Sequence, residues 1–226
     1  MEAYILAAEI SREGNRRLEP SEIKLFINFI EGVIPKNLDC LYSIHMFNLH
    51  KEFLCALESV KAGFSLIFQL EEALLLQEKP FELRYVITYG EIDVPKRKHM
   101  FYGIVGHGIT RAETRMDKLR SGHGNRFYMD LRDREESAFL TMLFRFYQDL
   151  YDSWHPKDYK LAAKLIYIWD YNLTAKEMEK SPSLIWRRRK SLRIREYNNI
   201  KDLIIKTPDL IIKKKVSKSN EQPPAF

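Results

Sequence analysis

The chain has 226 residues, of which 45% are hydrophobic and 30% are charged, and its net charge is +6. This length suits one sizeable core with a small appendage. The composition excludes collagen-like, disulfide-rich and wholly disordered chains.

The two cysteines, Cys40 and Cys55, are too few for a disulfide framework and are expected to be free thiols in a reducing compartment. The first residues lack the basic start of a signal peptide, and no apolar run reaches the ~18–20 residues that a membrane span needs. The sequence therefore predicts a cytoplasmic protein with no membrane partner.

The positive charge is concentrated in the C-terminal third of the chain. Residues 156–226 hold 17 Lys and Arg against 8 Asp and Glu, whereas residues 1–155 hold 20 against 23. A neutral body with a basic attachment is typical of proteins that bind a polyanion.

Residues 1–132 predict an α+β domain. Strands are predicted at 3–10, 40–47, 52–58, 81–93 and 125–131, and helices at 21–34, 60–78 and 109–119. Hairpins mixed with crossing helices favour a mainly antiparallel sheet with helices on one face.

From residue 133 onward the pattern is helical. A connecting helix is predicted over 133–156, up to the break at His155 and Pro156, and a helix-turn-helix domain over 157–207. Residues 208–226 are rich in Lys, Ser and Pro and predict a disordered basic tail.

Residues 173–197 predict a short helix, a Ser-Pro-Ser turn and a basic second helix. Thr174 and Glu177 have capping-box spacing at the start of the first helix. The second helix carries the predicted DNA-binding residues Arg187, Arg188, Arg189, Lys190, Arg193 and Arg195. One helix fits the DNA major groove between phosphates, which favours DNA as the partner. For a charge run alone, the alternative is a solvated face on a helical hairpin.

Five short phrases occur in order along the chain. They are AEI at 8–10, HKEF at 50–53, RYVITYGE at 84–91, GHGITRA at 106–112 and LTAKE at 173–177. Together they resemble the SatD-like family of bacterial proteins, which pair a class III nucleotidyl cyclase fold with a C-terminal helix-turn-helix. The resemblance covers residues 3–205, and it implies a ferredoxin-like, cyclase-like sheet and a homodimer.

Cyclases of this pattern hold two metal ions with two aspartates, and the resemblance places Glu9 and Lys51 at those positions. A lysine repels a cation, so the resemblance implies a degenerate metal site, no metal and no cofactor. Glu9 is the only catalytic candidate, and Mg²⁺ is expected only if an enzymatic alternative holds. Glu52 is set aside because a strand neighbour of Lys51 points to the opposite face.

A glycine-rich entry precedes the third helix. Free N–H groups there can cradle a phosphate, although a packing turn explains the glycines equally well. The candidates for a nucleotide ligand are Glu9, Lys51, Gly106, Gly108 and Arg111.

These patterns favour a DNA-binding regulatory protein, a pseudoenzyme whose cyclase-like body senses a ligand or dimerises. Two alternatives stay open. One is a metal-dependent nucleotide-binding or cyclase-like enzyme that uses Glu9. The other is a protein-interaction adaptor whose basic helix meets an acidic partner.

Overall fold

The computed structural model describes residues 1–11, 19–34, 41–47, 52–93, 106–122 and 124–220, with secondary structure alone for 41–47 and 212–220. Lys51, Cys40 and residues 221–226 lie outside the described residues. Within the described ranges, no helix combines the length and apolar content needed to cross a bilayer.

A five-stranded sheet is built from the first 130 residues. Its strands are β1 (Glu2–Ser11), β2 (Leu41–Phe47), β3 (Glu52–Leu57), β4 (Glu82–Glu91) and β5 (Phe127–Asp130), in the order β2-β3-β1-β4-β5. All neighbours are antiparallel except β4 and β5, which are parallel. The first four strands have the ferredoxin-like order, and the predicted α+β class is confirmed.

Helices cover both faces of the sheet. They are α1 (Pro20–Val33), α2 (Val60–Leu76), α3 (His107–Ser121) and α4 (Arg134–Asp152). Buried residues of α1, α2 and α4 share one cluster with Leu6 and Phe53, as expected for helices on one face. By contrast, α3 packs with Ile5 and Leu54 on the other face. The added layer follows from β1, which is apolar at successive positions and so has two apolar faces to cover.

Four more helices follow in the described part of the chain. After a short 3-10 turn at Pro156–Asp158 come α5 (Tyr159–Tyr167), α6 (Tyr171–Glu177), α7 (Pro182–Ser191) and α8 (Ile194–Asn220). Ile185, Tyr197 and Ile204 belong to the same buried cluster as the sheet residues. The indole of Trp154 donates to the Leu192 carbonyl at 2.8 Å. The helical region therefore packs directly on α2 and α4.

Two helix ends differ from prediction. Helix α6 begins three residues before Thr174, because Asp170 accepts a hydrogen bond from the Asn172 amide at 2.8 Å and caps it. The Thr174 hydroxyl instead donates to the Asp170 carbonyl at 3.0 Å, so the predicted cap is wrong. Helix α8 continues to Asn220, into the segment 208–226 where a disordered tail was predicted. Ile204 and Thr207, which precede that segment in α8, are buried.

Candidate functional site

A tight four-residue turn joins α6 to α7. The amide of Lys180 donates to the Ala175 carbonyl at 2.9 Å, and the amide of Glu179 to the Lys176 carbonyl at 3.2 Å. Glu179 has a φ of 52°, in the left-handed region. These are the two hydrogen bonds of a Schellman motif, which reverses the chain after a helix. Pro182 then starts α7, where its missing N–H costs nothing.

Helix α7 is anchored by one side chain. Ile185 is its only buried residue. At about 100° per residue, Ser183, Arg187 and Lys190 lie on the opposite side of the helix. All three are exposed. Most of the surface of α7 is therefore free to contact another molecule.

The six predicted DNA-binding residues differ in their surroundings. Arg188 is half-buried and forms an ion pair with Asp158, and Arg193 lies 3.8 Å from Glu196. The remaining four form no ion pair with another residue in the described part of the chain: Arg187, Arg189, Lys190 and Arg195. The unpaired cations are the ones available to a polyanion.

Two tryptophans accompany these cations. Trp186 is 44% exposed, and Trp169 is 61% exposed. The Lys190 ammonium lies 3.8 Å from the Trp186 ring centroid, and the Arg189 guanidinium 5.0 Å from that of Trp169. Both are cation–π contacts. Exposed rings among cations also offer surfaces on which a base or sugar can pack.

A buried pair of carboxylates lies on the neighbouring strands β1 and β3. Glu9 and Glu52 are direct partners in the β1–β3 register, and both are buried. The guanidinium of Arg120 on α3 contacts both, at 2.6 Å from Glu9 Oε2. Arg84 lies 3.5 Å from Glu9 Oε1. One arginine therefore bridges the two carboxylates, and a second one supports Glu9.

The prediction that Glu52 points away from the site of Glu9 was wrong. Directly opposed residues of antiparallel strands point to the same face, so Glu52 lies beside Glu9. Burial raises the pKa of Glu52 above its usual range, and the charge of Arg120 opposes that rise. Burial alone would lower the pKa of Arg120, but its contacts with Glu9 and Glu52 raise it, so the guanidinium stays charged.

This carboxylate pair does not fit a metal ion as it stands. Among the described residues, no group of three or more His, Cys, Asp or Glu could hold one. Arg120 already supplies the positive charge between Glu9 and Glu52. A divalent cation there would have to displace this guanidinium.

The nucleotide candidates are not brought together. Glu9 contacts Arg120 near the end of α3, whereas Gly106 and Gly108 lie at its start, about 20 Å away along the helix. Arg111 instead forms a salt bridge with Asp130, in which its Nε lies 2.7 Å from Oδ2 and its Nη2 lies 2.5 Å from Oδ1. Although burial alone would raise the pKa of Asp130, hydrogen bonds from Arg111 and Arg115 hold it below its usual value. One small ligand cannot contact both ends of α3.

The glycines at the start of α3 allow two backbones to approach closely. We expect Gly108→Ala to lower the free energy of unfolding by about 1–2 kcal/mol. The new Cβ would lie 2.7 Å from Ile5 Cδ1 and 3.1 Å from the Glu91 carbonyl oxygen. Urea denaturation followed by circular dichroism measures the change. Gly32→Ala is the matched control, because a Cβ there meets nothing within 4 Å; an equal loss in both variants would contradict the packing role.

Comparisons with known proteins do not assign the chain to a family. No family model matches the sequence, and no curated protein matches it. Among solved structures, the guanylyl cyclase Cya2 is similar, with 18% identity and a TM-score of 0.37 over 57% of this chain and 74% of that chain. At this TM-score the likeness supports no inference about activity. The SatD-like resemblance stays a prediction.

Proposed function

We propose that this protein binds DNA through α6 and α7, used as a helix-turn-helix in which α7 enters the major groove. One observation carries the proposal: α7 exposes Ser183, Arg187 and Lys190 opposite its single buried residue, Ile185. A groove-binding helix needs such a free face, because the major groove is about 12 Å wide and admits one helix.

The surroundings of each cation suggest its role. Arg187 and Lys190 are unpaired and face outward, so we assign them to the groove. Arg188 pairs with Asp158 and positions α7 rather than contacting DNA. Arg195 follows the end of α7, forms no ion pair in the described part of the chain and suits a phosphate contact, which fixes orientation but carries no sequence information.

The sheet domain is proposed to act as the sensing or dimerising body, as the SatD-like resemblance implies. Two contacts support a mechanical link between body and α7–α8. Glu72 on α2 accepts a hydrogen bond from the Tyr197 hydroxyl at 2.9 Å and pairs with Lys201. Trp154, just after α4, donates a hydrogen bond to the Leu192 carbonyl at the end of α7.

The test is fluorescence anisotropy with labelled random-sequence duplex DNA at rising salt. We expect measurable binding at low salt that weakens as salt rises, because phosphate contacts release counterions. Arg187→Ala combined with Lys190→Ala should weaken binding by at least about tenfold.

The matched control is Lys24→Ala with Lys118→Ala, which removes the same charge from exposed sites on α1 and α3. Binding should change little in this variant. Undetectable binding at low salt, or an equal loss in both double variants, would show that α7 is not a DNA-binding helix.

The enzymatic alternative has less support, because Arg120 already occupies the carboxylates that would bind Mg²⁺. It would regain support if the protein turned over a nucleoside triphosphate with Mg²⁺ and Glu9→Ala abolished the turnover.

A further inference from the structure

A cleft follows the outer edge of β5, between α3 on one face of the sheet and α4 on the other. Its volume is about 790 Å³, within the range of ~300–1,000 Å³ that is typical of small-molecule sites. Tyr128 and Asp130 line it on the face that α3 covers, and Ala138 and Thr141 line it from α4. The cleft is therefore large enough for a small ligand and has a wall on each side.

Arginines from three segments converge on this cleft. They are Arg111 and Arg115 on α3, Arg132 between β5 and α4, and Arg134 and Arg145 on α4. Among the described residues that line the cleft, Asp130 is the only acidic one. Charges of one sign along a cleft concentrate the electric field, so this cleft attracts anions.

Two of these arginines are free to bind a ligand. Arg134 and Arg145 are exposed, and neither forms an ion pair with another residue that the structure describes. Eleven residues are about three helical turns, so both lie on one side of α4, about 16 Å apart along its axis. Arg134 is also the first residue of α4, where the helix dipole disfavours a positive charge. An arginine that opposes the dipole is typical of a binding role rather than of a stabilising one.

The arginines of the opposite wall are held in place by Asp130. Its Oδ2 accepts hydrogen bonds from Arg111 Nε at 2.7 Å and from Arg115 Nε at 2.6 Å. Nη1 and Nη2 of Arg115 donate to no residue in the described ranges. One carboxylate cannot neutralise two guanidinium groups, so this wall keeps a positive charge. Because the side chains are already ordered, a ligand pays less conformational entropy to bind them.

We propose that this cleft binds a small molecule with a chain of two or three phosphate groups, held between Arg115 on one wall and Arg134 and Arg145 on the other. Guanidinium groups present paired N–H donors that match phosphate oxygens. Asp130 and, from outside the cleft, Glu2 offset two of the five arginines, which leaves three positive charges. A single phosphate group carries at most about two negative charges, so a longer phosphate chain matches the cleft better.

The cleft differs from the sites considered above. Neither Glu9 nor Glu52 lines it, and its arginines bind phosphate without a metal ion. A ligand there would supply the signal for the proposed sensing body, but its binding does not require α7 to bind DNA.

An extended peptide suits this cleft less well than a small anion, because the edge of β5 cannot accept another strand. The amide of Met129 already donates to Thr141 Oγ1 at 3.1 Å, and that of Leu131 to Ser137 Oγ at 2.9 Å. An added strand would find both amides occupied. The cleft therefore recognises its ligand through side chains.

The test is isothermal titration calorimetry of the full chain with inorganic triphosphate, in EDTA and about 0.15 M salt, where distant surface charges are screened. We expect one site per chain with a Kd below about 1 mM. Inorganic monophosphate, which is too short to contact both walls, should bind at least about tenfold more weakly. Adenosine triphosphate separates two sources of the ligand. Tighter binding than inorganic triphosphate supports a nucleotide, and equal binding supports recognition of the phosphate chain alone.

Arg134→Ala combined with Arg145→Ala should weaken triphosphate binding by at least about tenfold, because each removes charged hydrogen bonds to phosphate. The matched control is Lys24→Ala with Lys206→Ala, which removes the same charge from exposed sites on α1 and α8 and should leave the Kd unchanged. Circular dichroism checks that each variant is folded.

A Kd for triphosphate above about 1 mM would overturn the proposal. So would an equal loss in both double variants, since attraction would then come from the net charge of the chain. Monophosphate that binds as tightly as triphosphate would overturn the arrangement between two walls. These titrations contain no DNA, so a negative result leaves the proposed role of α7 untouched, and failure of DNA binding leaves the cleft untouched.

Discussion

Replacing Arg126 with methionine should lower the free energy of unfolding by about 3–5 kcal/mol. Arg126 is buried just before β5, with Nη1 and Nη2 each 3.2 Å from Glu71 oxygens. Nη1 also donates to the Leu83 carbonyl at 2.8 Å. Glu71 is fully buried on α2. Methionine fills similar space but leaves the Glu71 carboxylate uncompensated in the core. Urea denaturation at neutral pH measures the loss.

The double variant Arg126→Met with Glu71→Leu distinguishes the cost of leaving one buried charge unpaired from the net contribution of the ion pair. When both charges are replaced by apolar groups, the cost of desolvating them disappears as well, and such replacements are often neutral. We therefore expect the double variant to regain most of the lost stability. A single variant that loses less than about 1 kcal/mol, or a double variant no better than the single one, would contradict this account.

Arg120→Gln should destabilise the protein by about 2–3 kcal/mol near pH 7. This figure is below that for Arg126 because the Arg120 side chain is 39% exposed. The substitution removes the cation that bridges Glu9 and Glu52, while Arg84 stays beside Glu9. Burial already raises the pKa of Glu52, and loss of Arg120 raises it further.

The loss should depend on pH. A carboxyl group whose pKa is higher in the folded than in the unfolded protein binds more protons when folded, so stability falls as pH rises above the unfolded value. We therefore expect a larger defect at pH 8 than at pH 5, measured by urea denaturation at both. Adding Glu52→Gln, which removes one of the two charges, should flatten the dependence. An equal defect at both pH values would exclude repulsion between the carboxylates.

The sequence predicted most of the sheet because its strands are marked by local patterns. The strand predicted at 3–10 is β1, and the helix predicted at 60–78 is α2, which Ser59 caps. The carboxylate pair was harder to predict. Glu9 and Arg120 are 111 positions apart, and only the β1–β3 register reveals that Glu52 lies beside Glu9. Contacts between distant segments leave no trace in local periodicity.

The helices show a second limit of local patterns. Phe139 and Phe146 share a helical period with the buried Leu143, so periodicity alone does not tell which of these side chains face the core. Which of two apolar faces is buried depends on where the sheet lies. Asp170 and Thr174 are both good N-caps four residues apart, and the chain uses the earlier one.

The packing of Tyr197 has a consequence for how the whole chain unfolds. Its ring centroid lies 5.5 Å from that of Tyr147 on α4 and 5.3 Å from that of Trp154 just after α4, and all three residues are buried. Removing α8 would expose these aromatic rings on the body. The sheet and the C-terminal helices should therefore melt as one cooperative unit. A compound that stabilises the sheet would then also protect α7 from protease digestion.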